Sequence, residues 1–450
     1  MISLMIAIPL LFAFISIVFK GLAKYALPFI VLLNILILLI ASTPVVENIG
    51  GWKAPFGISL VLDDASYYVV LVVNLIFLLL SLIPQIIDKG YDTIILLLLT
   101  STNGLVLTGD LFNSFVFIEI TAAAAYILAY HRNNPYGAFK YLIIGGISGS
   151  FYLLGTIFSY VGAGSLNMAH ISNNSFGQLT AAIAILFILG LGVEAKLFPL
   201  AGWVPDVYAS GSSLTPTILG TAITFSIMYL TGRIFITVLH GTFLDVLYIL
   251  GLLTVIVGEV AALRQDKLLR ALAYSSIAQA GLVVAAISLN NIDSLTGAYF
   301  HSMNDLTAKF ILFPIATVVI KGFEEDRLAG FAFSVASFSL IGFPLFAGFR
   351  SKLLIISSAF SAGNYILPAV LFFASIVEAA YLLKWNIKLW FEKSDTSNNI
   401  PWNLKTIVLV LSILLLIIGI YPDLYLDASR KIAQSILDTQ GYINSVLGGI

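Results

Sequence analysis

The chain has 450 residues, of which 60% are hydrophobic and only 10% charged, with a net charge of −1. Soluble globular proteins carry about 25% charged residues, so the composition describes an all-α protein that crosses a membrane many times; a closed barrel would alternate apolar and polar residues instead. The near-zero charge leaves no basic surface for nucleic acid, and the lack of cysteine excludes disulfides, iron–sulfur clusters and thiolate zinc sites.

The four histidines, His131, His170, His240 and His301, are far apart in sequence. Haem or copper ligation by this chain alone is not expected, and neither is any cofactor. The first apolar segment, 2–19, has no basic region before it and no small-residue cleavage site, so it reads as a retained span.

Apolar runs of spanning length fall at about 2–19, 25–43, 66–87, 91–108, 110–130, 138–162, 180–200, 212–239, 243–263, 272–289, 294–321, 331–356, 364–391 and 403–420. They predict about fourteen transmembrane helices. An amphipathic tail follows, from Asp423 to Leu447; it either lies on the membrane surface or frays. The loops after spans one, five, nine and thirteen hold Lys20 and Lys24; Arg132 and Lys140; Arg264, Lys267 and Arg270; and Lys384, Lys388 and Lys393. The opposite loops hold little basic charge beyond Lys53. Positive residues favour the inner side, so both termini are expected on the outer face.

Two spans are interrupted. Span seven contains Phe198-Pro199-Leu200-Ala201-Gly202-Trp203, and span twelve contains Phe343-Pro344-Leu345-Phe346-Ala347-Gly348-Phe349. Proline removes a backbone donor and clashes with the preceding turn, so each span should break. Broken backbone at membrane depth survives only inside protein or beside a polar cavity. Two breaks five spans apart suggest two five-helix repeats, inverted because each holds an odd number of spans. The expected organisation is 1–90 (spans 1–3), 91–240 (first repeat), 241–391 (second repeat) and 392–450 (span 14 and tail).

The apolar spans also carry ionisable groups, which cost about 2.5–3.5 kcal/mol each near the bilayer centre on insertion scales. His301, Asp305 and Lys309 are spaced four apart and share one helix face. Glu119 sits mid-span, as a relay acid or a partner for a lysine. Glu194 and Lys196 flank the first break; two residues apart on a helix, they should point to opposite faces, one towards Glu119 and one inward. Lys352 follows the second break, with the far surface within its reach. Glu378 lies mid-span as an exit carboxylate or a pair for Lys352. Such a series, with water between members, is what a proton path across a low-dielectric slab requires. Sodium would want several oxygens at once, and no carboxylate cluster supplies them.

Several stretches, in order, resemble a known family. They are Gly50-Gly51-Trp52-Lys53-Ala54-Pro55, Gly109-Asp110-Leu111-Phe112-Asn113 through Glu119, and Phe198-Pro199 through Tyr208. Leu272-Ala273-Tyr274-Ser275-Ser276 through Gly281, the Asn304 to Lys309 spacing, and Gly342 through Lys352 complete the set. The chain is similar to the antiporter-like membrane subunits shared by respiratory complex I, Mrp-type multisubunit cation/proton antiporters and energy-converting membrane-bound hydrogenases.

The resemblance implies fourteen helices, two inverted repeats, broken helices 7 and 12, and a central hydrophilic axis. By position Glu119, Lys309 and Lys352 match family ionisable residues. There are also departures. Glu194 stands where a lysine is usual, with Lys196 displaced by two. Ala201 and Asp305 stand where histidines are usual, and Phe225 replaces the eighth-helix lysine.

The resulting expectation is a subunit that translocates protons, or exchanges them for sodium, within a multisubunit membrane complex. The partners would be other membrane subunits and a redox module in other chains, since this chain has no catalytic centre of its own. The alternative is a degenerate, non-conducting structural subunit.

Overall fold

With no water in hydrocarbon, each backbone N–H and C=O must be satisfied within the chain, and apolar runs fold into helices. The computed structural model describes residues 1–87, 90–131, 135–174, 176–209, 212–318, 322–324, 326–391 and 400–448. Arg132 and Lys393, two of the basic loop residues above, lie outside them.

Helices α1 (Leu4–Val18) and α2 (Leu22–Ile40) lead into a hairpin of β1 (Val45–Asn48) and β2 (Ser59–Leu62), paired antiparallel with Val45 opposite Leu62. This hairpin is an addition to the all-α expectation; four-residue strands leave too little alternation to read. Then come α3 (Asp64–Ser81), α4 (Asp92–Leu107), α5 (Leu111–Ala129), α6 (Tyr136–Ala163), the short α7 (Met168–Ser172) and α8 (Thr180–Glu194). Short polar residues start several of them. Asp63 accepts from Ser66 N at 2.9 Å and the Ser66 hydroxyl answers at Asp63 N, a reciprocal cap. Asp110 accepts from Asn113 N at 2.8 Å.

The chain continues through α9 (Val204–Tyr208), α10 (Leu214–Val238), α11 (Leu244–Leu263), α12 (Leu268–Ile287) and α13 (Ile292–Val318). It ends with α14 (Arg327–Ile341), α15 (Ala347–Ser361), α16 (Ile366–Phe391), α17 (Trp402–Ile420), α18 (Asp423–Leu437) and α19 (Thr439–Leu447). Among the described residues ten helices are long and apolar enough to cross a membrane. Other predicted spans fall on α1, α4 and α14, which are apolar but shorter, and on α13, which carries charge.

The predicted breaks are present. α8 stops at Glu194 and helical structure resumes with a 3-10 turn at Leu200–Trp203; α14 stops at Ile341 and α15 starts at Ala347. α10 runs unbroken but widens into π turns at Leu219–Ile223 and Arg233–Val238.

The helices form a centre and a rim. On α10 every residue is buried, and on α13 every residue from Ser294 to Ile315 is. Rim helices expose apolar faces to lipid, such as Phe29 on α2 and Ile376 on α16. The tail neither frays nor lies free. α18 packs on α3 and α13, with Tyr425 Oη 2.8 Å from Thr307 Oγ1. Tyr442 of α19 lies 4.5 Å under the Arg233 guanidinium, which is ion-paired to Asp63.

Small residues let α11 and α12 pack backbone to backbone. A Cβ on Gly258 of α11 would lie 2.7 Å from Ala278 N of α12, and one on Gly251 would lie 2.8 Å from Ala285 N. Backbones this close leave no room for a side chain. Gly258→Leu should therefore cost at least about 1–3 kcal/mol by overpacking, read as a lower thermal unfolding midpoint in detergent. Gly146→Leu, where a Cβ meets nothing within 4 Å, should leave the midpoint unchanged. Equal midpoints for the two variants would contradict this packing.

Candidate functional site

α13 is long, helical and buried, so its His301, Asp305 and Lys309 rise through the middle of the protein on one face. Charges held there need partners. Lys309 Nζ donates to Asp305 Oδ2 at 2.5 Å, one helical turn away. His301 uses both ring nitrogens: Nδ1 lies 2.9 Å from Ser351 Oγ and Nε2 2.6 Å from Gln279 Oε1.

Gln279 on α12 extends this line. Its Nε2 donates to Glu378 Oε1 of α16 at 2.6 Å. Glu378 Oε2 accepts from Lys352 Nζ at 2.8 Å. Lys352 also donates to Ser375 Oγ at 3.0 Å and to the Ile341 carbonyl at 3.1 Å. Ile341 ends α14, so the break supplies the carbonyl that an intact helix would have kept for itself. Asn304 secures this break through Ser339, whose hydroxyl donates to Asn304 Oδ1 at 2.6 Å and accepts from Gly348 N at 3.2 Å. Lys352 is thus buried and paired with Glu378, and does not reach the far surface.

The first half is built differently. Helical phase puts Glu194 and Lys196 on opposite faces of one helix, but α8 ends at Glu194 and Lys196 takes left-handed backbone with φ 60°. The turn, rather than helical phase, separates them. Glu194 Oε2 accepts from the Tyr141 hydroxyl at 2.9 Å. The Tyr141 ring stacks 3.7 Å from Trp203, which belongs to the break. Lys196 Nζ donates to Thr224 Oγ1 at 2.6 Å and Ser276 Oγ at 3.0 Å, and lies 5.2 Å from the centre of the Tyr208 ring.

Glu119 is half-buried on α5 and enters no ion pair among the described residues. Its carboxylate packs against Gly149 of α6, where any Cβ would collide with Oε1. Of Glu194 and Lys196, it is Glu194 that interacts electrostatically with it.

The halves meet beside Phe225. A cavity of about 10 Å³, room for about one water, is lined by Thr224, Phe225, Ser302 and Asp305. Asp305 Oδ1 is buried without a hydrogen bond among the described residues. Lys196 interacts electrostatically with both Asp305 and Lys309. The structure thus brings Lys196, Asp305 and Lys309 into one group, and His301, Lys352 and Glu378 into another through Gln279. Glu119 and Glu194 form a third.

Two residues of the site are absent from the candidates drawn from the sequence. Gln279 lies inside one of the family-like stretches but carries no charge to single it out. Glu259 is a lone carboxylate in the apolar run of α11, the same signal that marks Glu119 and Glu378. Among the described residues no group of three or more His, Asp or Glu is arranged to hold a metal ion.

Gln279→Leu should leave His301 Nε2 and Glu378 Oε1 buried and unpaired. Each should cost about 1–3 kcal/mol, seen as a lowered thermal unfolding midpoint with unchanged helical content by circular dichroism. An unchanged midpoint would mean that the amide holds nothing together.

Known proteins share this architecture. Residues 108–377 match the family described as NADH:quinone oxidoreductase/Mrp antiporter, transmembrane. An NADH-quinone oxidoreductase subunit of Desulforudis audaxviator is 32% identical over 378 residues, covering 77% of this chain and 75% of the relative. A Na(+)/H(+) antiporter subunit of Bacillus subtilis is 27% identical over 432 residues, covering 89% and 88%. A chain of the membrane-bound sulfane sulfur reductase, an archaeal respiratory membrane complex, superposes with a TM-score of 0.91 at 32% identity, covering 99% of each chain. The chain therefore belongs to the family of antiporter-like membrane subunits shared by NADH:quinone oxidoreductases and Mrp antiporters.

Proposed function

We propose that this subunit relays protons across the membrane along Glu119, Glu194, Lys196, Asp305, Lys309, His301, Glu378 and Lys352. It does so inside a multisubunit complex whose other chains supply the driving reaction. The observation that carries the reading is a pair of buried clusters on one face of α13: the Lys309–Asp305 ion pair and, one turn away, the hydrogen-bonded line of His301, Gln279, Glu378 and Lys352. A buried pair can exchange a proton when one partner moves, because each charge holds the other's protonation state. The named relatives act as a quinone reductase subunit and a sodium/proton antiporter subunit. The coupled process for this chain is accordingly a redox reaction in other chains or exchange of protons for sodium.

Residues 91–240 and 241–391 are read as two inverted repeats, each contributing one broken span and one half of the path, with 1–90 and 392–450 flanking them. Both termini are read on the outer face. The ion pairs of Asp206 support this, since they join Lys140 and Arg270 from two of the basic loops at one end of the bundle.

The half built on Glu119, Glu194 and Lys196 is the weaker conductor. Phe225, 1% exposed, fills the place where the resemblance expects a lysine, and Lys196 is held by hydroxyls instead of an acid. The same phenylalanine favours the second reading, a subunit that fills space and conducts nothing.

Lys309→Ala in the assembled complex separates the two. The relay reading expects ion translocation in inverted membrane vesicles to fall by about 100-fold or more, the low end of what a lost proton-transfer group costs, with assembly intact. Unchanged translocation would leave only the space-filling role.

A further inference from the structure

Glu259 is a buried acid that the path above does not use. It lies on α11 four residues before the helix ends at Leu263, about 6 Å along the axis. It is 1% exposed, and its Oε2 has no hydrogen bond among the described residues. It interacts electrostatically with Glu378, Lys352 and Lys309. The Tyr381 hydroxyl stands beside it and beside Ser275, and Tyr381 also interacts with Glu378.

One ammonium, that of Lys352, thus serves two carboxyl groups. Such a buried group is neutral only when it also holds a proton.

A way in from solvent lies at the same end. A cleft of about 360 Å³ opens between the α11–α12 link and the ends of α13 and α16, lined by Asp266, Lys267, Thr317, Trp385 and Lys388. On α16, Glu378, Tyr381, Trp385 and Lys388 are spaced three, four and three apart, so they follow one helix face from the Lys352 centre to this cleft. Trp385 Nε1 is buried without a partner among the described residues. An indole is a donor only, so Trp385 can wall a route but cannot pass a proton along it.

We propose that Glu259 is the carboxyl through which the Lys352–Glu378 centre exchanges protons with the basic-loop side of the membrane. In the uptake direction the Glu259 O–H bond breaks as one forms on the Glu378 carboxylate. The Glu259 carboxylate then takes a proton from hydronium in the cleft, which is left as water. No other reactant is required. The proposal rests on the relay reading and adds its port.

The test uses the intact complex in inverted membrane vesicles, with proton movement followed by a pH-sensitive dye. Glu259→Gln keeps the shape and the hydrogen-bonding capacity but cannot release a carboxyl proton. Glu259→Asp keeps the acid and loses one methylene. A proton carrier ranks wild type above Asp and Asp above Gln, with Gln slowed about 10-fold or more. A structural group ranks Gln above Asp.

Gln within about twofold of wild type, or Gln faster than Asp, overturns the inference. If the Gln variant does not accumulate, the Asp variant decides. At normal abundance, an Asp variant whose transport pH profile is displaced from that of wild type supports the port, and a profile of unchanged shape overturns it. Lys309→Ala separates the two levels. Lost transport there with normal transport in Glu259→Gln removes only the port, whereas normal transport in both removes the relay.

Discussion

The structure depends on keeping amines and acids charged or chargeable where there is no bulk water. Lys309, Lys352, Asp305 and Glu378 are all at most 6% exposed, and each charge has its opposite within ion-pair distance. Removing one partner of a buried pair commonly costs about 3–5 kcal/mol, while replacing both by apolar residues is often neutral. A chain that needed only to fill the bilayer would therefore be as stable with neither partner. Asp305 and Lys309 sit on α13, buried all round from Ser294 to Ile315, and ion handling is the role we propose for both pairs.

The two helix breaks follow from the same constraint. A lysine in the middle of a bundle needs acceptors, and a continuous helix offers none because its carbonyls are already bonded. Breaking α14 from α15 releases the Ile341 carbonyl to Lys352. Breaking after α8 turns Lys196 away from Glu194, towards Thr224 and Ser276. The wide turn at Leu219–Ile223 contributes as well, since the Thr224 hydroxyl donates to the Leu219 carbonyl at 2.6 Å and is left to accept from Lys196. In this way proline and π turns convert backbone into ligands for buried charge.

Much of this is legible in the residues. Long apolar runs locate the helices because hydrocarbon permits little else, and the two Phe-Pro-Leu stretches locate the breaks because proline removes a backbone donor and crowds the preceding turn. Pro9, Pro28 and Pro314 nevertheless stay within continuous helices. The four-residue spacing of Asp305 and Lys309 is itself the ion pair. Contacts between distant segments are not legible. Nothing near Gln279 announces that it joins His301 to Glu378, because that junction exists only when α12, α13 and α16 pack together. Helical phase separates Glu194 from Lys196, but the structure separates them by a turn instead, since the helix ends at Glu194. Glu259 is visible as a single acid in an apolar span, but that is a weak mark until its neighbours are known.

The central claim is a water-linked line of titratable groups through the slab. A cryo-electron microscopy map of the assembled complex, at a resolution that shows ordered water, tests it most directly. The account predicts water between Lys196 and Asp305 in the cavity beside Phe225, and between Glu259 and the cleft at Trp385. Dry apolar packing across both gaps, or Lys309 open to bulk solvent, would contradict it.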